Sequence, residues 1–87
     1  MERLGMPLYY LHIKEGAELL LDPEGANFRN LDTARTEAIQ SARELISQAV
    51  LTGSPLRMHR AFQIDDAHGR TLLSVPFTDA IHSGDKL

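Results

Sequence analysis

The sequence contains no cysteine, which excludes disulfide bonds and thiolate metal sites. A reducing compartment is the simplest home for such a chain, so we expect a cytoplasmic protein. No apolar run approaches the roughly 20 residues that a membrane-spanning helix needs, and the N-terminus lacks the long apolar core of a signal peptide. We therefore expect no membrane association.

The chain also has little basic charge and no concentration of it. Its nine lysine and arginine residues are scattered, and the net charge is -3. A protein that binds nucleic acid in general needs a basic stripe to neutralise phosphates, so this charge pattern disfavours that class.

Motifs typical of catalysis are missing as well. There is no glycine-rich phosphate loop, and neither Ser41 nor Ser47 lies in a nucleophile-elbow motif. Asp22 and Glu24, like Asp65, Asp66 and His68, are explained by the turns that they predict, and acid–base pairs need an enclosed cleft to separate their pKa values. We therefore expect no enzyme, no catalytic residue and no cofactor.

The four histidines raise the hypothesis of a metal site, because imidazole is a common ligand of zinc. They are His12, His59, His68 and His82. No two of them have the short spacing that preforms a metal site, so we expect no metal. His12 is the most interesting, since it lies in the middle of a predicted strand between apolar residues.

What the chain does have is the composition of one small globular domain. Its 87 residues, 43% of them hydrophobic, are enough for a single modest core. We expect a disordered leader over residues 1–6, one domain over residues 7–80, and a loose tail over residues 81–87, where Ile81 is almost the last sizeable apolar group.

One long amphipathic helix is predicted between Asn30 and Gly53. Asn30 is a good N-cap, with Asp32 as the alternative, and Gly53 followed by Pro55 is typical of a helix end. Apolar residues recur at spacings of three and four along one stripe: Leu31, Ala34, Ala38, Ala42, Leu45 and Ala49. Three larger residues widen this stripe on one flank, namely Ile39, Ile46 and Val50. Such a broad stripe favours a helix that lies across a sheet.

Four strands are predicted around this helix, two on each side of it. They are residues 8–14, 18–22, 58–65 and 71–77. A type I turn is predicted at Asp22-Pro23-Glu24-Gly25, and Pro76 should lie at an edge or a strand end. Tyr9, Leu11 and Ile13 form the more apolar face of the first strand and should meet the helix. The fold class is therefore α+β: a four-stranded, mainly antiparallel ββαββ sheet with one long helix on one face.

A spaced set of residues over roughly positions 6–80 resembles a family of short bacterial proteins of unknown function. The resemblance rests on Tyr10-Leu11-His12-Ile13, Gly16, Asp22, Glu24-Gly25, Leu31, Ala34-Arg35, Glu37-Ala38, Ala42, residues 65–69, Leu72-Leu73 and Val75-Pro76-Phe77. It implies no activity, cofactor or site residue. The layout, a hairpin followed by an alanine-rich helix, is also similar to antitoxin-type domains that resemble the double-stranded-RNA-binding fold, which is an analogy of shape.

The single helix leaves the other face of the sheet uncovered, and this face gives the leading hypothesis for function. Leu8, Tyr10 and His12 lie on it, joined in the prediction by Met58 or Phe62, and an exposed apolar patch usually marks an interface. We therefore predict a non-enzymatic interaction module that forms a homodimer through its sheet.

The alternative hypothesis is a nucleic-acid-binding regulator of antitoxin type. Its phosphate-facing residues would be Arg57, Arg60 and Arg70, with His59 nearby. Phe62 would then stack on a base. Asp65, Asp66 and Asp79 lie close in sequence and should weaken this positive field.

Overall fold

The computed structural model describes residues 6–82. Their secondary structure, in chain order, is β1 (Leu8–Glu15), β2 (Glu18–Leu20), β3 (Ala26–Asn27), α1 (Leu31–Thr52), β4 (Ala61–Asp66), β5 (Thr71–Pro76) and α2 (Thr78–His82). The fold class is α+β, as predicted, with one long helix beside an antiparallel sheet. Residues 1–5 of the predicted leader and residues 83–87 of the predicted tail lie outside the described residues.

The sheet has the order β2-β1-β4-β5, and every pairing in it is antiparallel. The two-residue strand β3 also pairs with β1. The strand β4 pairs along most of one edge of β1. The strands β2 and β3 therefore share the other edge of β1, with the predicted turn between them. The second predicted strand, residues 18–22, is therefore shorter than expected, since β2 ends at Leu20 and residues 21–25 leave the ladder. The strand β3 was not predicted.

The helix packs against β4 and β5 through its small residues. Ala34, Ala38 and Ala42 are all buried, so the helix backbone approaches the sheet closely there. The remaining core residues come from the strands, from one larger residue of α1, from α2 and from the residue between β5 and α2: Tyr9, Ile39, Phe62, Ile64, Val75, Phe77 and Ala80. Phe28, which precedes the helix, packs on this core beside the Tyr9 ring.

The last third of α1, residues 45–52, contains no fully buried residue. Its 22 residues span about 33 Å at 1.5 Å per residue, whereas the six residues of β4 span only about 20 Å. Val50 is therefore 63% exposed and Leu45 is exposed too, although the sequence pattern placed both on the buried stripe. The prediction of a stripe buried along its full length was wrong for these two residues.

Both predicted helix caps are confirmed. Asn30 has an extended backbone, and its side chain accepts a hydrogen bond from the Thr33 backbone N–H at 2.9 Å, so Asn30 and not Asp32 is the N-cap. Gly53 has a φ of 72°, and the N–H of Ser54 reaches the Ala49 carbonyl at 2.9 Å.

A second, short helix follows β5, where the sequence predicted no regular structure. The buried side chain of Ala80 in α2 closes the core, and its carbonyl accepts a hydrogen bond from the Arg43 side chain at 3.0 Å. The first two residues of the predicted tail, Ile81 and His82, belong to this helix. Pro76 is the last residue of the edge strand β5, as predicted.

Ala38→Asp should destabilise the domain by about 3 kcal/mol or more, because it places an unpaired charge where the helix meets the sheet. Urea unfolding followed by circular dichroism measures this loss. Gln40→Asp, on the exposed side of the same helix turn, is the matched control and should cost less than about 1 kcal/mol. Equal losses in the two variants would contradict the burial of Ala38.

Candidate functional site

The residues predicted as an interface lie on the sheet face that points away from α1, which we call the open face. Tyr9, Leu11 and Ile13 pack toward the core, so the alternate residues Leu8, Tyr10 and His12 point the other way. Leu8 and Tyr10 are half-buried, and His12 is only 8% exposed. The Tyr10 and His12 rings stack with their centroids 5.9 Å apart.

The rest of the open face is polar rather than apolar. Opposite residues of paired strands share a face, so His12, Gln63 and Ser74 lie side by side across three strands. Phe62 pairs with Ile13 on the core side and stacks on Phe77, and Met58 also packs against the core. The prediction that Met58 or Phe62 extends an apolar patch on the open face was therefore wrong.

Asp22 supplies a hydrogen-bond acceptor to β1 in the gap between its pairings with β2 and with β3. Its Oδ2 accepts a hydrogen bond from the Leu11 backbone N–H at 3.1 Å, at a position of β1 that no neighbouring strand pairs on that edge. Its Oδ1 accepts from the Gly25 N–H at 3.2 Å, which closes the predicted turn. One carboxylate thus holds both the edge of β1 and the loop that leaves it.

The same loop uses its backbone to fix His12. The Asp22 N–H donates to His12 Nδ1 at 3.0 Å, so Nδ1 carries no proton and the ring is the neutral tautomer with its proton on Nε2. Nε2 lies 3.4 Å from Asp65 Oδ2 on β4. Because both ring nitrogens have partners, His12 has no lone pair left to act as a general base, and its arrangement is that of a cross-link between two strands and a loop.

Asp65 is the buried end of this polar chain. It is 8% exposed, and its Oδ1 accepts from Gln63 Nε2 at 3.1 Å and from the Thr71 hydroxyl at 2.9 Å. Thr71 reaches it because of a β-bulge: β5 passes from Leu73 to Thr71 while β4 passes from Ile64 to Asp65, which leaves Leu72 unpaired. Asp65 is therefore part of a packed network and not only a polar residue of the hairpin loop.

These residues surround a hollow on the open face, with a volume of about 370 Å³. Its lining consists of Tyr10, His12, Leu21, Asp22, Pro23, Asp65, Asp66, Ala67 and Gly69. A volume of this size lies within the range of about 300–1,000 Å³ that is typical of ligand pockets. Sequence reasoning missed it, because its walls come from two turns that are far apart in the chain.

The arginines of the nucleic-acid hypothesis fall into two groups. Arg60 Nε and Arg57 Nη1 bind the Glu15 carboxylate at 2.8 and 3.1 Å, and His59 Nε2 lies 3.1 Å from the same carboxylate. The pKa of Glu15 is lowered, chiefly by the Arg60 hydrogen bond and also by the charges of Arg60 and Arg57 and the hydrogen bond from His59.

Arg70 lies at the other end of β4, about 20 Å away along the strand. Its Nε binds Asp66 Oδ2 at 2.8 Å, and the pKa of Asp66 is lowered, chiefly by the hydrogen bond from the Arg70 backbone N–H. Arg57, Arg60 and Arg70 therefore do not form one phosphate-facing group, and each of them pairs with an acid of its own chain.

Another feature that sequence reasoning missed is a run of exposed leucines on the edge of the sheet. Leu19, Leu20 and Leu21 are 39%, 48% and 68% exposed. Three consecutive leucines in a strand are typical of burial on both sides or of a crowded edge. Here they lie at an edge and are exposed, because β2 has no neighbour beyond it in the described sheet.

Features of a metal site and of a membrane span are both absent from residues 6–82. In that range, no three histidine, aspartate or glutamate side chains are grouped as a metal site would need. Neither helix of the same range combines the length and the apolar character that crossing a membrane requires.

Gly25→Val should destabilise the domain by about 2 kcal/mol or more. Gly25 has a φ of 69°, and a Cβ there would lie 2.8 Å from the Tyr9 carbonyl oxygen. Glu24→Gln should change the unfolding free energy by less than about 0.5 kcal/mol, because Glu24 is exposed. Chemical denaturation compares the two, and equal losses would show that the turn needs the Glu24 carboxylate rather than the backbone conformation.

His12→Ala should cost about 2 kcal/mol, because it leaves the Asp22 N–H without its acceptor and removes the ring that lies 3.4 Å from the buried Asp65 Oδ2. His59→Ala is the control: His59 is exposed and bonds only to Glu15 among the described residues, so its loss should cost less than about 0.5 kcal/mol. Thermal melts of both variants measure the difference. A His12→Ala melt that matches the wild type would remove His12 from the network.

Comparison with known proteins places the chain in a family but adds no activity. No curated protein and no solved structure matches it. A family model described as Domain of unknown function (DUF6894) matches residues 8–78, which is most of the chain and runs from the first residue of β1 to the first residue of α2. The chain therefore belongs to the DUF6894 family.

Proposed function

We propose that this domain is a non-enzymatic interaction module and that it self-associates through the β2 edge of its sheet. The observation that carries the proposal is the exposure of Leu19 and Leu20 on the edge strand β2 and of Leu21 directly after it. An edge strand presents unpaired backbone N–H and C=O groups, and soluble proteins usually protect such an edge with charge, proline or a covering segment. This edge presents leucines instead.

The geometry of β2 suits a twofold contact. Leu20 pairs with Ile13 and lies on the core side of the sheet, whereas Leu19 pairs with Lys14 and lies on the open face. A second copy that pairs its own β2 with this strand would extend both sheets and bury leucines on both faces at once. Leu21 would continue the contact toward Tyr10, one of the three residues predicted from the sequence.

The opposite edge of the sheet offers a poorer contact. β5 carries the bulge at Leu72 and ends at Pro76, and both features interrupt regular pairing with another strand. The chemistry of the open face also favours binding over catalysis, since both His12 nitrogens are engaged.

The test is the mass of the protein in solution. Light scattering at micromolar concentration should give twice the monomer mass of 9.7 kDa for the wild type. Leu20→Lys should shift the protein to monomer, because it places a charge in the apolar contact. Leu72→Lys is the matched control, since Leu72 is 40% exposed and lies on the opposite edge strand, and it should remain a dimer.

Two results would count against this proposal. A wild-type mass of 9.7 kDa would exclude self-association at that concentration. A dimer that survives Leu20→Lys but not Leu72→Lys would place the contact on β5. The dimer should also persist at high salt, because apolar association is not weakened by ionic strength, whereas phosphate binding by the arginines would be.

A further inference from the structure

The hollow on the open face contains two carboxylates that no cation neutralises within residues 6–82. Asp65 is buried, it accepts hydrogen bonds from the Gln63 amide and the Thr71 hydroxyl, and the neutral His12 ring lies 3.4 Å from its Oδ2. Asp22 accepts only from the backbone N–H groups of Leu11 and Gly25. A charge held only by neutral donors in a buried position is uncommon, because buried carboxylates are usually paired.

Both carboxylates keep acceptor capacity after these bonds are counted. An ionised carboxylate has about four lone-pair positions, two on each oxygen. Asp65 Oδ2 has His12 Nε2 at 3.4 Å, and each oxygen of Asp22 has one described donor. Spare lone pairs therefore remain on the residues that line the hollow.

The nearest described cations do not neutralise these two charges. Arg70 pairs with the third acid of the hollow, Asp66, at 2.8 Å. Lys14 lies on the open face two residues beyond His12 and is exposed, with no described ion pair to either carboxylate. The field in the hollow is therefore negative, and a concave surface of one sign concentrates ligands of the other.

The shape of the hollow selects among cations. The Tyr10 ring is one wall, stacked on His12 with an angle of 18° between the rings, and Leu21 and Pro23 form an apolar rim. A guanidinium group is planar and weakly hydrated; it stacks on aromatic faces and binds carboxylates through paired N–H donors. An ammonium ion is a compact, strongly hydrated charge and gains less from a flat wall.

We propose that the hollow is a binding site for a guanidinium group, presented as an arginine side chain on a protein partner. Charge complementarity carries the choice of arginine. The open position of the hollow on a sheet face, with a volume of about 370 Å³, lets a side chain enter from outside. This site adjoins the β2 contact through Leu21, whereas Leu20 belongs to the β2 contact and does not line the hollow.

The experiment is a titration of the full ¹⁵N-labelled chain, followed by two-dimensional ¹H–¹⁵N NMR. The probe is N-acetyl-arginine methylamide, and its matched control is N-acetyl-citrulline methylamide, which has the same planar shape without the charge. Saturable shifts should appear at the amides of Leu21, Ala67 and Gly69, with a Kd on the order of 1 mM for this single side chain. The citrulline probe should bind at least about tenfold more weakly.

Variants test whether arginine binding depends on the hollow itself or on acidic residues elsewhere in the protein. Asp65→Asn should weaken arginine binding at least about tenfold, whereas Asp79→Asn, which removes an acid that pairs with Arg35, should not change it. If Asp65→Asn fails to fold, Tyr10→Leu and Tyr10→Phe replace it: the loss of the flat wall should weaken binding, and the loss of the hydroxyl alone should not.

Several results would overturn the proposal. One is equal binding of the arginine and citrulline probes, and another is the absence of saturable shifts. Shifts confined to the acidic side of α1, at Glu37 and Glu44, would place the cation elsewhere. Tighter binding of free L-arginine than of the blocked probe would indicate a small-molecule ligand instead of a protein partner. Because Leu20→Lys leaves the lining intact, a failure of self-association does not prevent this test.

Discussion

The carboxylate of Asp22 holds this fold together at the point where its sheet would otherwise break. The strand β1 needs hydrogen-bond partners on both edges, but the chain beside one edge leaves the sheet between β2 and β3. An unpaired strand N–H that is removed from water costs about as much as a lost hydrogen bond, and Asp22 supplies the missing acceptor at 3.1 Å from the Leu11 nitrogen. The turn, the position of Gly25 and the loop over His12 all depend on this one side chain.

The polar network of the open face follows from that loop. Because the Asp22 N–H donates to Nδ1, the His12 ring is neutral and presents Nε2 to Asp65, and the bulge in β5 adds the Thr71 hydroxyl. These bonds satisfy the buried groups but supply no positive charge. A network of this kind fixes strand register, and it borders the hollow between the two turns.

Local signals in the sequence predicted the local structure well. Asn30 and Gly53 gave both ends of α1, the turn residues gave residues 22–25, and alternation gave the core face of β1. The hollow could not be predicted in this way, since His12, Asp22 and Asp65 meet only through tertiary pairing. Each has a sufficient local explanation, as a strand residue, a turn residue and a hairpin residue, and that explanation conceals its shared role.

The exposed leucines show a second limit of sequence prediction, since the burial of a strand depends on where the helix packs. A run of three leucines predicts burial only if a second layer covers the strand, and α1 packs over β4 and β5 instead, at the far side of the sheet. The buried alanines of α1 hold the helix close to β4 and β5, and the helix does not cover β2. Alanine packing over one half of the sheet therefore leaves apolar residues exposed at the edge of the other half.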